Sequence, residues 1–438
     1  MQIFGRKSVG QILKKVTDDS LPDSWNARFW QRFRRNRMAK WALRILYLLV
    51  FVAVFADFIA NDRPLYCQYE GQTYFPVFHS YLEDWQLAKP DSAFLNKEWA
   101  TIEYESVIFP LIPYSATKTN LYESKLSPFG EQKVKSLRWR HWLGTSLTGK
   151  DLAAGLIIGV RYALLVGLIA MSIATLIGVI LGSLAGYFGD QHLRVSRISI
   201  LLNIIGVFYG IFLAFSARAY PLRLAAAEGG LWIELSKSIL LFAVILLIVN
   251  LLAKVLERIP FLGKRVKFPI DLLIMRLIEI LTSIPGLLLL ISLVAIIEGN
   301  SILYVMLIIG FLSWTGIARF TRAEMLRIRQ LDYMEAGRAL GYSHIRLMLR
   351  HALPNAITPI LIAVAFGIAG AILLEASLSF LGLGAGADEV TWGKMLTDAR
   401  SQDSVKAWWL AVFPGFMIFL TVTVFNLIGE GVTEALRD

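Results

Sequence analysis

Runs of about 20 apolar residues recur along this chain, and nothing else in it restricts the fold so strongly. A run of that length, wound as a helix, crosses the ~30 Å hydrocarbon core of a bilayer. In lipid each backbone N–H and C=O must be satisfied within the segment, which makes these runs helical. Eight spans are expected, near 41–60, 162–188, 197–217, 232–253, 272–297, 301–318, 356–383 and 408–428. The expected fold class is an all-α polytopic membrane protein. Hydrophobic residues fill 56% of the 438 positions and charged ones only 18%, which suits a membrane chain better than a soluble one.

The net charge of +11 invites a nucleic-acid reading. Its distribution favours the bilayer instead, and no nucleic-acid partner is expected. About 40 residues rich in Arg28, Arg32, Arg34, Arg35, Arg37 and Lys40 precede the first apolar run. They read as a cytosolic tail (1–40) before an uncleaved helix (41–60), not as a secretory signal. Alternation then places 189–196, 254–271, 319–355 and the C-terminus inside as well. Those loops hold Arg194, Arg197, Lys254, Arg258, Lys264, Arg265, Lys267, Arg319, Arg322, Arg338, Arg346 and Arg350, whereas the outer loop 218–231 has only Arg218 and Arg223. Cys67 is the one cysteine, so no internal disulfide or thiolate metal cluster can form.

Residues 61–140 form a long outer segment. Leu65 to Tyr69 and Gln72 to Phe75 flank Glu70-Gly71, the pattern of a hairpin. Its aromatics Tyr66, Tyr69, Tyr74, Phe75, Phe78, Tyr81 and Trp85 are expected to pack as a small core rather than to form a ligand face. In the second span Gly178, Gly182 and Gly186 recur one helical turn apart, which lets another helix approach closely. Ser283-Ile-Pro-Gly286 should kink or unwind the fifth span.

The stretch Gly144-Thr-Ser-Leu-Thr-Gly-Lys150 matches a phosphate-binding loop up to its lysine. The next residue is Asp151, where a magnesium-binding hydroxyl belongs, and no buried strand precedes it. No other nucleotide pattern occurs, so ATP-driven transport would need an ATPase from another chain.

One polar island interrupts the apolar C-terminal half. The loop 319–355 reads as a helix, a glycine turn and a helix, with a short polar-basic pattern from Asp332, Gly341 as a left-handed helix end, and Ser343 as the N-cap of a second short basic helix through Leu349. Leu353-Pro354-Asn355 follows. Glu335 is expected to cap the local backbone or to pair with Arg338 or Arg319.

These residues resemble the "EAA" loop of ABC-importer permeases, Glu335, Ala336 and Gly337 standing at its namesake positions. From about 138 onward the chain is similar to C-type permeases of the peptide/nickel importer family, which transport dipeptides and oligopeptides. His141-Trp-Leu-Gly-Thr145 with Gly149-Lys-Asp151, Arg322-Ala-Glu324, Glu375-Ala-Ser-Leu-Ser-Phe-Leu-Gly-Leu-Gly384 and Asn426-Leu-Ile-Gly429 carry the resemblance. Ile59 to Pro64 and Tyr69 to Pro76 resemble the microcin-C/oligopeptide subgroup. The resemblance implies a MetI-like core of six helices over 141–438, here with an inserted helical hairpin at about 191–265. It implies a non-enzymatic subunit of the bacterial inner membrane, with both termini cytosolic. The implied partners are a second, B-type permease, two cytosolic ATPases that hold ATP and magnesium, and an extracytoplasmic substrate-binding protein. It also assigns Glu335, Ala336, Gly337, Gly341, Ser343, His351, Leu353 and Pro354 to the ATPase-coupling loop. Ser146, Lys150 and Gly337 depart from the family pattern.

Ionisable residues within spans are costly and functional by default. Glu375, with Ser379 one turn on, either lines the translocation path or hydrogen-bonds a neighbouring helix. Glu279 lies near a cytosolic end, where solvation accounts for it. The rival reading, an ion-coupled secondary transporter, needs coupling groups and internal repeats that this sequence lacks. An intramembrane enzyme needs a catalytic cluster in the spans, whereas His79, His141, His192, His344 and His351 all fall in expected loops.

Overall fold

The computed structural model describes residues 25–436 except 85–86, 90–93, 95–96, 133, 135, 191–192, 229, 260, 262, 297–300, 387–388 and 401–406. Trp85 and His192 therefore lie outside the described residues. The chain divides into two units, one of Met1–Gly182 with Ile280–Asp438 and the other of Ser183–Glu279.

Helix α1 (Trp25–Arg35) is separated from α2 (Arg37–Val54) by Asn36, whose side chain accepts the Ala39 N–H at 3.0 Å and caps α2. The expected tail is thus helical from Trp25, and the first apolar helix starts at Arg37 and gives way to a short α3 (Ala56–Ile59). Strands β1 (Tyr66–Tyr69) and β2 (Gln72–Tyr74) pair antiparallel with Cys67 opposite Tyr74, the hairpin read from the sequence. Glu70 and Gly71 have φ of 53° and 73°, as a two-residue I′ turn requires. After α4 (Pro76–Asp84), β3 (Ser106–Ile108) adds to the free edge of β1. The sequence reading missed β3, because three residues carry too little alternation to signal a strand. The small core here is Cys67, Val77, Phe94 and Phe109, with Tyr69, Tyr74 and Trp99 against Phe94. Phe75 and Phe78, expected in that core, are 51% and 54% exposed.

Helix α5 (Leu152–Phe188) has 37 residues, so at ~1.5 Å each it reaches well past the hydrocarbon core. In the second unit β4 (Arg194–Ser196) leads into α6 (Arg197–Ile211), a π turn at Phe212–Ser216, α7 (Ala219–Glu228) and α8 (Leu231–Leu256). Strand β5 (Arg265–Lys267) then pairs with β4, and α9 (Ile270–Ser283) follows. Gly206 and Gly210 let α6 approach α8, since a Cβ there would stand 2.8 Å from Val249 and 2.9 Å from Phe242. Asn203 and Asn250 exchange side-chain hydrogen bonds of 3.3 and 3.2 Å, which satisfies two amides on otherwise apolar helices. At the α7–α8 end, Glu234 pairs with both Arg218 and Lys237.

The remaining elements are α10 (Gly286–Ile296), α11 (Ile302–Ile328), α12 (Asp332–Ala339), α13 (His344–Leu347), α14 (Leu353–Phe380), α15 (Trp392–Asp398) and α16 (Trp409–Leu436). Helix α14 packs against α11, α15 and α16, and α16 packs against α2. Ala39 and Phe33 close on the end of α16 at Ala435 and Gly431.

Among the described residues, six helices are long and apolar enough to cross a membrane, or seven if α9 and α10 count as one broken span. Two of the expected eight spans differ in form: the fifth is broken, as its Ser283-Ile-Pro-Gly286 predicts, and the first is short. The run 272–297 is bent by 84° around Ile284-Pro285, because proline has no N–H to continue the ladder. Helix α2 has 18 residues with Arg37, Lys40 and Arg44 in its first half, so its own apolar stretch is short.

Gly178 and Gly182 sit where α5 meets α11: a Cβ would lie 2.9 Å from the Trp314 carbonyl at Gly178 and 2.5 Å from the Ala318 carbonyl at Gly182. Gly186 is buried in the last turn of α5. Since backbone cannot step aside as a side chain can, Gly182→Val should cost about 1–3 kcal/mol by overpacking. The thermal midpoint of the detergent-purified protein should fall; an unchanged midpoint would show that the two helices tolerate separation.

Candidate functional site

The polar island folds as a helix, a turn and a second helix. Helix α12 ends in a Schellman motif, with Gly341 N–H on the Arg338 carbonyl at 2.9 Å and Tyr342 N–H on the Gly337 carbonyl at 3.1 Å. Gly341 has φ +78°, the left-handed conformation that this motif needs. The Ser343 hydroxyl accepts the Arg346 N–H at 3.3 Å and starts α13. The second helix does not stop at Leu349. A π turn over Met348–Ala352 carries it into α14, so His344–Phe380 is one continuous 37-residue helix with Leu353 and Pro354 inside it.

Met334, Leu347, Met325 and Ile328 are fully buried and fix this segment to the end of α11. At Gly337 a Cβ would stand 2.6 Å from Leu347 Cδ2, so the missing side chain makes room for that leucine. Glu335, Ala336, Gly341 and Ser343 are exposed, as are Leu340 (73%), Ile345 (62%) and Leu349 (52%). Tyr342 stacks on His351, and the Arg346 guanidinium lies 4.8 Å over the Tyr342 ring. The expected Glu335 pairing does not occur. Arg338 binds the Arg329 carbonyl and Arg319 the Thr282 hydroxyl, which leaves the Glu335 carboxylate unpaired among the described residues. The result is a polar and basic surface with three large apolar side chains on it, mounted on a transmembrane helix.

Glu375 and Ser379 are 3% and 2% exposed, and the Ser379 hydroxyl donates to Glu375 at 2.7 Å. Thr391, 1% exposed, is buried beside them. Helix α15 presses on them, since a Cβ at Gly393 would lie 2.5 Å from the Ala376 carbonyl. Both residues thus face the inside of the subunit. Glu279 is half exposed and pairs with Arg276 at 2.7 Å.

The sequence reading overlooked a buried cluster on the outer segment. His141 is 1% exposed and bonds Asp151 through Nδ1 at 2.8 Å and Glu123 through Nε2 at 3.3 Å. Asp151 also accepts the Ala154 N–H at 2.7 Å, which caps α5. Tyr114 stacks on the imidazole at 4.1 Å, and Trp409 of α16 donates to the Thr145 carbonyl at 3.2 Å. Burial opposes the charged imidazole, but Asp151 and then Glu123 outweigh it and hold His141 above the usual histidine range. The cluster thus ties the outer segment to the starts of α5 and α16. The signal was present in His141 and Asp151 flanking a glycine-rich turn. That turn is no phosphate cradle: a Cβ would fall 1.7 Å from the Asn120 carbonyl at Gly149 and 2.4 Å from the Leu126 carbonyl at Gly144. A second unread bridge joins Arg161 to Asp57 at 2.7 Å, with the Tyr81 hydroxyl on the same carboxylate. Burial first, then Asp57, pushes Tyr81 up to about 12.

Of the other histidines, His79 lies in α4 and pairs with Glu83, and His344 and His351 lie in the turn-and-helix segment.

Long apolar helices with an exposed polar helix–turn–helix segment define a multi-pass membrane protein. Residues 261–437 match the family described as "Binding-protein-dependent transport system inner membrane component", and residues 24–78 match "N-terminal TM domain of oligopeptide transport permease C". The chain is 27% identical to the peptidoglycan transport system permease protein YejE of Agrobacterium fabrum, over 93% of this chain and 91% of that one. It is 26% identical to the inner membrane ABC transporter permease protein YejE of Escherichia coli, over 94% and 96%. It is 27% identical to the glutathione transport system permease protein GsiD of Pectobacterium atrosepticum, over 100% and 98%. Residues 261–437 belong to the binding-protein-dependent transport permeases, and the two matches together with these relatives support a peptide-type ABC permease subunit. The chain is a multi-pass component of the bacterial inner membrane and is not itself an enzyme; ATP hydrolysis resides in partner subunits.

Proposed function

We propose that this chain forms half of a translocation path for peptides or related solutes, paired with a B-type permease and served by an extracytoplasmic binding protein. Two cytosolic ATPases supply the driving force and hold the ATP and magnesium. The exposed 332–352 segment docks in a cleft of one ATPase, with Leu340, Ile345 and Leu349 as its apolar anchors. One observation carries this reading: the docking surface and the transmembrane helix are a single helix from His344 to Phe380. A displacement of α13 is then passed to α14 as rigid-body motion. Both termini share the side of this segment. The relatives named for peptidoglycan and glutathione transport support a peptide-like cargo.

Buried Cys67 makes a clean test feasible. Ile345→Cys should cross-link to the ATPase in membranes from cells that express the whole transporter. It should also react with impermeant thiol reagents only from the cytosolic side. Labelling from outside, or no cross-link, would reject the docking surface. The chain purified alone should show no ATP hydrolysis above background, and measurable turnover would overturn the division of labour.

A further inference from the structure

The β4–β5 end of the Ser183–Glu279 unit carries an excess of positive charge. Arg194, Arg197, Lys264, Arg265 and Lys267 are exposed, and none forms an ion pair among the described residues. Glu257 brings one carboxylate to this end, accepting the Ser196 hydroxyl of β4 at 2.6 Å, and Asp190 accepts the Leu272 N–H at 3.0 Å. The far end of the same hairpin differs, because Glu234 there holds both Arg218 and Lys237. The strand register even sets Arg194 directly opposite Lys267, an unfavourable pairing of like charges.

The ribbon is also amphipathic. Leu193, Val195 and Phe268 turn to its other face and, with Ile200, Ile204 and Phe208 of α6, line an apolar groove of about 400 Å³. Arg197 stands at i to Ile200 at i+3 and Ile204 at i+7, on one stripe of α6. A cation therefore heads the groove. A partner's transmembrane helix would fill the groove but bring no anion to its basic end. We propose that the groove holds an acyl chain of an anionic phospholipid whose phosphate sits at Arg197, with the Arg194–Lys267 pair adding positive potential from the opposite face of the ribbon. Basic clusters beside an apolar span attract anionic lipid headgroups in this way.

The test uses the assembled transporter in detergent, with native mass spectrometry after addition of phosphatidylglycerol or phosphatidylcholine of matched acyl chains. Phosphatidylglycerol should be retained at least about fivefold more, the effect of roughly one cation at an anionic surface. The triple variant R194Q/R197Q/K267Q should lose that preference. Ile204→Trp, which fills the groove, should lower retention of both lipids. Inorganic phosphate alone should leave the bound lipid in place. Equal retention of the two lipids overturns the proposal, as does a preference that survives the triple substitution. Displacement by free phosphate would reveal an anion site without an acyl chain and would overturn it too. If the triple variant does not assemble, the comparison of the two lipids on the unmodified transporter decides alone.

Discussion

Uptake by a transporter carrying Gly341→Val should fall by an order of magnitude or nearly so, while the subunit still inserts in the membrane at its usual level. The reason is local. Gly341 has φ +78°, and its Schellman bonds from Gly341 and Tyr342 hold only in that conformation. A side chain in the left-handed region costs about 1–2 kcal/mol, and β-branching adds to it. That is a factor of roughly 5–30 in the population of the docking geometry. No atom lies within 4 Å of the added Cβ, so the effect is conformational and not a clash. Asparagine, which tolerates this region, should therefore retain more uptake than alanine, and alanine more than valine. The measurement is solute uptake in whole cells, normalised to subunit in the membrane fraction. Full uptake with valine would remove Gly341 from the coupling argument. Equal losses for all three variants would place the defect outside the turn.

Asp151→Ala should be the most damaging single change outside the spans. It deletes the cap of α5 and leaves a histidine that is 1% exposed without its principal partner. Loss of an N-cap costs about 0.5–2 kcal/mol. An unsatisfied buried polar group costs about 1–3 kcal/mol more, so the sum is a large share of a domain's stability. The same cluster should make stability depend on pH. The folded state raises the His141 pKa above its ordinary 6.5, so it binds that proton more tightly than the unfolded chain does. The contribution is fully present below about 6.5 and fades as pH rises through the higher folded value. The thermal midpoint of detergent-purified protein should fall as pH rises through that folded value. His141→Gln should flatten this part of the profile. An unchanged slope in that variant would assign the pH dependence to another group.

How much was legible follows from how local each signal was. The β1–β2 hairpin lay in Glu70-Gly71 between two aromatic runs, and the break at Ile284-Pro285 lay in one proline. The Gly341 turn was equally local, with glycine at the left-handed end and Ser343 as the next cap. By contrast, His141, Asp151 and Glu123 meet through irregular loops, where no periodicity announces that three side chains will share one buried site. Gly144 to Lys150 imitates a phosphate loop that Asp151 already rules out, and the close approach of the Asn120 carbonyl to Gly149 supplies the packing reason for its glycine. Glu335 was misread for a related reason. Its candidate partners were near in sequence, but their guanidiniums found a backbone carbonyl and a threonine hydroxyl instead.

Apolar runs that long have no alternative to helices in lipid, so the membrane class was legible in the sequence, as was a family resemblance in motifs spread over both ends of the chain. The sequence also marked the polar island as a helix–turn–helix between apolar runs. Only the tertiary structure decided that this island is continuous with α14. A π turn at Met348–Ala352 absorbs the expected break, and the burial of Met334 and Leu347 then locks the segment to α11. Only the fold turned Glu375 inward against Ser379 and Thr391, since which face a residue in a uniformly apolar helix presents is set by the helices packed around it.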